Sequence, residues 1–137
     1  MVGQGPLEAL ILVRVQAPQQ TKMKIYVAGK NLRRAQTVME MLCDNGHEIT
    51  YDWANKFSEK NPKKKSSDEL KGIREADLLV YLWEPDQESA RYEAGIAMGI
   101  GKPIIVSGKN NSFFFNLPNV YCVNSDNEII SAVDREK

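Results

Sequence analysis

Histidine is almost absent from this chain of 137 residues, His47 being the only one. Histidine-based metal sites and Ser-His-Asp triads are therefore poorly supported. The two cysteines, Cys43 and Cys122, fall inside expected elements and read as core thiols rather than a bridge. Charge of one sign is also missing. Lys plus Arg and Asp plus Glu number 18 each, so no global field draws the chain to nucleic acid or to an anionic membrane. Neither a Walker motif nor a Gly-x-Gly-x-x-Gly pattern occurs, which argues against a nucleoside triphosphate or dinucleotide. The apolar stretch from Leu7 to Val15 is interrupted by Glu8 and Arg14 and is too short to span a membrane. It also lacks the basic leader and small-residue cleavage site of a secretion signal. A cytoplasmic location is expected.

What is present has the size of one ordinary domain. Residues 1–22 read as an N-terminal extension, or as sequence before a later start, with Ala17 to Thr21 as linker; the domain proper is 23–137. Lys24 to Ala28 reads as the first strand, closed by Gly29. Leu32, Ala35, Val38, Met39, Leu42 and Cys43 then mark one helical face ending at Asp44. Asn45-Gly46 stops that helix, and Glu48 to Trp53 reads as the second strand. Lys56 to Ser67 is polar, carries Lys63-Lys64-Lys65, and is expected as a mobile solvated loop over the strand ends, a phosphate-attracting role being the minority reading. A short helix from Ser67 to Glu75 follows. Beyond Val106, Gly108 to Leu117 is a loop with Phe113-Phe114-Phe115, Val120 to Val123 a fifth strand, and Asp126 to Arg135 a last helix. The alternation predicts a three-layer α/β/α domain: a doubly wound, flavodoxin-like (Rossmann-like) parallel sheet of order 2-1-3-4-5.

The stretch Ala76 to Ser107 organises the rest. Leu78 to Trp83 is apolar enough for a strand buried on both faces. Glu84-Pro85-Asp86 breaks it, and a helix is expected from Glu88 to Ile100. Gly101-Lys102-Pro103 stops that helix before the buried strand Ile104 to Val106. Glu93 is the odd residue in this helix, because its neighbours at helical spacing are Ala90, Ile96, Ala97 and Ile100. A carboxylate on that face meets a desolvation cost and a raised pKa. The helix starts at the C-terminal edge of a parallel strand, where such sheets bind ligands. Gly95 and Gly99 leave a second side open to another backbone.

Other candidates fall at the same edge of the sheet. Lys30, Arg33 and Arg34 follow Gly29 at a helix N-terminus suited to phosphate, although Arg34 reads equally as an ordinary solvated charge. Tyr26 reads equally as a core tyrosine or as a site residue. Trp53 either stacks on a base or closes the core. Trp83, Asp86 and Ser89 surround the loop that introduces Glu93.

Asp77 before an apolar strand, a turn around Ser89, Glu93-Ala94-Gly95-Ile96-Ala97 and Gly101-Lys102-Pro103 together resemble the nucleoside 2-deoxyribosyltransferase family and its nucleotide N-hydrolase relatives. The resemblance covers residues 23–133 and is strongest from Asp77 to Pro103. It implies that Glu93 is the nucleophile that attacks the anomeric carbon, with Tyr26 near it and Gly29, Lys30 and Arg33 on the substrate side. Asp68-Glu69-Leu70-Lys71-Gly72-Ile73 is similar to the segment whose acid handles the proton on the base. Aligned on Leu70 and Ile73, that acid is Glu69, with Asp68 one residue earlier. Gln87 stands where the transferases carry an aspartate for the free 5′-hydroxyl and the hydrolases a serine. Asn116-Leu117-Pro118 resembles the Asn-Leu-Met that a neighbouring subunit contributes, with only Asn116 carried over.

Cleaving an N-glycosidic bond passes through an oxocarbenium-like state that a carboxylate can stabilise or trap, and it requires no metal or cofactor. Three functions follow as expectations. The first is hydrolysis of (deoxy)nucleoside 5′-monophosphates, the second is base exchange between nucleosides, and the third is a non-catalytic module that binds a nucleotide derivative. The expected partners are a small-molecule nucleoside or nucleotide and a second copy of the chain. In that homodimer the Phe113 to Phe115 loop packs on its neighbour and brings Asn116 near that subunit's Glu93.

Overall fold

The computed structural model describes residues 22–55, 60–109 and 111–136. The N-terminal extension up to residue 21, residues 56–59 of the expected loop, and Asn110 lie outside the described residues.

Among the described residues the chain alternates strand and helix. The order is β1 (Lys24–Ala28), α1 (Leu32–Asp44), β2 (Glu48–Ile49), α2 (Pro62–Glu75), β3 (Leu78–Leu82), α3 (Ser89–Gly99), β4 (Ile104–Ser107), β5 (Val120–Val123) and α4 (Ile129–Arg135). The strands form one parallel sheet in the order β2-β1-β3-β4-β5, the expected doubly wound arrangement. Successive side chains on a strand point to opposite faces, and this separates two cores. Ile25, Val27, Leu78, Val80 and Leu82 pack under α1 and α4. Tyr26, Ala28, Leu79, Tyr81, Ile104 and Val106 pack against Ile73 of α2 and Ala90, Ala94 and Ala97 of α3.

The bottom of the sheet is tied by backbone pairing and two side chains. Asp77 N–H donates to the Lys24 carbonyl at 2.6 Å, and its Oδ2 accepts from Lys24 N–H at 2.8 Å. Lys102 Nζ donates to the carbonyls of Arg74 (2.9 Å) and Ala76 (2.6 Å), occupying acceptors at the end of α2. Gly101 makes the turn between α3 and this lysine at φ 80°, a conformation that side chains rarely adopt.

Arg34 is no solvated charge. Its guanidinium donates to the carbonyls of Trp83 (2.8 Å) and Ser107 (3.1 Å) and forks onto Asp126, with both bonds at 2.8 Å. Ser107 Oγ donates to the same carboxylate at 2.6 Å. Burial alone would raise the Asp126 carboxyl, but Arg34 and Ser107 hold it below the usual carboxylate range. Arg34 thereby occupies carbonyls at the upper ends of β3 and β4.

Four expectations are corrected. β2 pairs over Glu48 and Ile49 only; Thr50 N–H still reaches the Ile25 carbonyl, but the chain then turns and the Trp53 indole donates to the Val27 carbonyl at 2.8 Å. Lys63 to Lys65 are the opening turn of α2, not a solvated loop, because Asn61 Oδ1 accepts from the N–H groups of Lys63 and Lys64 and Pro62 presets the first helical residue. The expected last helix divides into a 3₁₀ turn at Asp126–Glu128 and α4, and a 3₁₀ turn at Phe113–Asn116 interrupts the preceding loop. Cys43 is exposed and is no core thiol, whereas Cys122 is half-buried and packs against the core on the α2/α3 side.

Arg34→Met should cost about 2–3 kcal/mol in urea unfolding, because it strands the Asp126 carboxylate and two carbonyls. The double variant Arg34→Met/Asp126→Leu should recover part of that loss.

Candidate active site

Period-two alternation in β1 turns Tyr26 away from Ile25 and Val27 and toward the α2/α3 layer. On that side α2 and α3 run beside each other and enclose a cleft of about 350 Å³ at the C-terminal edge of the sheet. Gly29 and Trp53 form its wall from the first two strand ends. Pro62, Lys65, Ser66 and Glu69, at i, i+3, i+4 and i+7, form the stripe that α2 presents. Ser89 and Glu93, one helical turn apart, come from α3. The cleft continues between the helices into an apolar lobe of about 190 Å³, where Leu70, Ile73, Tyr92 and Ile96 join the shared Ser66, Glu69, Ser89 and Glu93.

Glu93 sits where the two lobes meet. Tyr26 donates its hydroxyl to Glu93 Oε2 at 3.1 Å. Burial is the largest cause of a carboxyl pKa pushed up to about 8; the adjoining Glu69 carboxyl raises it further, while the Tyr26 hydroxyl and the Lys65 charge oppose the rise. Glu93 therefore keeps its proton over much of the neutral range, beside the Glu69 carboxyl. Burial, followed by the charges of Glu93 and Glu69, drives the Tyr26 hydroxyl far above its ordinary value, so it remains a donor. The apolar face expected around Glu93 is only half covered, since Ala90 and Ala97 are buried whereas Ile96 and Ile100 are exposed.

The structure brings together Tyr26, Gly29, Trp53, Glu69, Ser89 and Glu93 from the sequence candidates. It sends the others elsewhere. Asp68 pairs with Lys64 at 3.0 Å on the outer face of α2 and does not line the cleft. Arg33 faces a wide polar groove beside Thr37, Glu40 and His47. Lys30 is exposed and does not line the cleft, its Nζ donating to the Asp86 carbonyl at 3.1 Å, and Asp86 itself holds a left-handed turn at φ 60°. Gln87 is buried and its amide is spent within its own loop, accepting from Glu84 N–H and donating to the Leu82 carbonyl at 2.8 Å. Trp83 lies on the opposite flank of α3, and Asn116 is exposed and donates to the Phe113 carbonyl. Lys65, Ser66 and Pro62 were not singled out from the sequence. The Asn61-Pro62 pair was the available signal, because a capped helix starting there puts all three on the stripe that carries Glu69.

No family model matches the chain, and no curated protein matches it. The solved structures that resemble it include an N-glycosidase. It is the CMP N-glycosidase BcmB of Clostridium botulinum, at 20% sequence identity and a TM-score of 0.61. The alignment covers 83% of this chain and 99% of that one. At this identity the likeness establishes the α/β fold. Among the described residues no group of His, Cys, Asp and Glu is arranged to hold a metal ion, and no helix is long and apolar enough to cross a membrane.

The raised Glu93 pKa has a thermodynamic consequence. The folded state holds a proton that the unfolded chain releases near the ordinary value of 4.5, so the stability from this group is full below that pH and is lost as pH rises through about 8. Chemical denaturation should show stability falling in this window with a slope approaching about 1.4 kcal/mol per pH unit. Glu93→Gln, which carries no titrating proton, should flatten it.

Proposed function

We propose that the chain hydrolyses the N-glycosidic bond of (deoxy)nucleoside 5′-monophosphates with Glu93 as nucleophile. The observation that carries this reading is a buried Glu93 carboxyl held by Tyr26 beside Glu69, at the ligand-binding edge of the sheet. The fold shared with a CMP N-glycosidase supports it.

In the reaction, the Glu93 proton passes to Glu69. A Glu93 carboxylate oxygen then bonds to the anomeric carbon as the carbon–nitrogen bond breaks. The electron pair of that bond goes to the base nitrogen, which takes the proton from Glu69. Water next attacks the same carbon, giving its proton to Glu69 and releasing Glu93. Tyr26 donates to the carboxylate throughout and fixes its orientation. Lys65 lines the cleft and brings a cation, and Ser66 and Ser89 add hydroxyls; together they are suited to a 5′-phosphate. Trp53 offers its ring to a base.

Gln87 does not decide between water and a second base as acceptor, because its amide serves its own loop. Base exchange is therefore tested by adding a free base and looking for a new nucleotide or nucleoside. A non-catalytic module would bind the nucleotide panel without product. The exposed rings of Phe113 and Phe114, with Tyr92, Ile96 and Ile100 on α3, are the surface proposed for a homodimer.

Chromatography after incubation with a 5′-monophosphate panel should show free base and sugar phosphate. Glu93→Gln should lower turnover about a thousandfold or more while binding stays within about tenfold. Lys65→Ala should raise KM for monophosphates over free nucleosides and move the alkaline limb of kcat/KM to higher pH, since the cation that opposes the Glu93 shift is gone and the proton needed by the leaving base is held longer. Arg33→Ala, on the far groove, should change neither parameter. Retained activity in Glu93→Gln would end this reading.

A further inference from the structure

The opposite flank of α3 carries a second cavity, distinct from the Glu93 cleft, of about 250 Å³. Trp83 and the rings of Phe113, Phe114 and Phe115 wall it, and Gly95 and Met98 of α3 complete the lining. The walls are set at right angles to one another. Phe113 and Phe114 meet edge-to-face at 5.1 Å, and Tyr81 meets Phe115 edge-to-face at 6.3 Å. Besides Ser112, two polar groups interrupt this apolar surface. Tyr81 is buried, and among the described residues its hydroxyl has no hydrogen-bond partner. Arg91, which lines the same cavity, acts on that hydroxyl against the larger upward effect of burial, which places the two donors at one end of the cavity. A second cation, Lys109 Nζ, stands 4.6 Å from the Trp83 ring centroid.

Aromatic walls favour a flat ring, and two converging donors favour an acceptor-rich or anionic edge. An unpaired buried hydroxyl is costly until an acceptor reaches it. Among the described residues no acid lines the cavity to supply one. We propose that this cavity binds a small planar ring with an acceptor edge, such as a free nucleobase or an aromatic carboxylate, with Tyr81 and Arg91 donating to that edge. Gly95 leaves the entrance clear, because a Cβ built there meets nothing within 4 Å. The inference is independent of the chemistry at Glu93, since Ser89 and Glu93 face the other side of the helix.

Calorimetric titration of the full chain with adenine, uracil, benzoate and inorganic phosphate tests it. At least one ring probe should bind saturably, at micromolar to low millimolar Kd, and phosphate alone should not. Saturation by adenine or uracil identifies the occupant class as a base, and saturation by benzoate identifies it as a carboxylate. Tyr81→Phe, which keeps the ring, should weaken binding by about tenfold. Gly95→Phe should abolish it by filling the entrance, with circular dichroism confirming the fold. Binding that survives Gly95→Phe but is lost in Glu69→Ala would assign the probe to the other cleft and overturn the proposal. Absence of saturation with every ring probe overturns it as well, whether the cavity then stays empty or is filled by a second copy of the chain.

Discussion

A carboxyl group withdrawn from water takes up a proton or must be surrounded by donors. Glu93 meets both conditions, and the placement of three elements follows from this. The Tyr26 hydroxyl reaches it from β1, which is central in the sheet, while Glu69 and Lys65 reach it from α2. That approach depends on Gly72. A Cβ at this position would stand 3.1 Å from Tyr51 Cβ and 3.2 Å from Tyr26 Cδ2, so only glycine lets α2 lie this close to β1 without displacing them. Lying close, α2 puts Glu69 one turn earlier against the carboxyl of α3.

The opposite layer handles charge differently. Arg34 and Asp126 are both ionised; Arg34 donates to the carboxylate and to two carbonyls, and Asp126 accepts from Arg34 and the Ser107 hydroxyl, so the pair holds its charges in place. At Glu93 the charges do not balance in this way. Two acids and one lysine leave a proton that can move, in a cleft open enough to admit a ligand. The division between an ion pair that stabilises and an acid pair that can react matches the two faces of the sheet.

The sheet was legible because parallel strands buried on both faces are continuous apolar runs, and Leu78 to Leu82 is such a run with every residue buried. Glu93 stood out because an acid beside Ala90 and Ala97 contradicts its helix face. What escaped was set by tertiary packing. Arg33 and Arg34 are adjacent in sequence, yet about 100° of helical rotation sends one to an open groove and the other under the strand ends. Gln87 and Trp83 flank one loop, but the first is consumed within it and the second serves another cavity. The shortening of β2 comes from one indole bond to Val27, a contact across 26 residues that no local pattern announces. The α2 boundary was different: Asn61-Pro62 marked it, and the lysine run after it drew attention to charge instead of capping.

The central claim is that Glu93 bonds to the sugar. Its most direct test uses a 5′-monophosphate with fluorine at C2′, which destabilises the oxocarbenium-like state and slows release of a glycosyl-enzyme. The protein is denatured after incubation, digested, and read by mass spectrometry. The account predicts one sugar-phosphate adduct, located at Glu93 and formed with release of one equivalent of base. Base released with no adduct, or an adduct on Glu69 or any other residue, would contradict it.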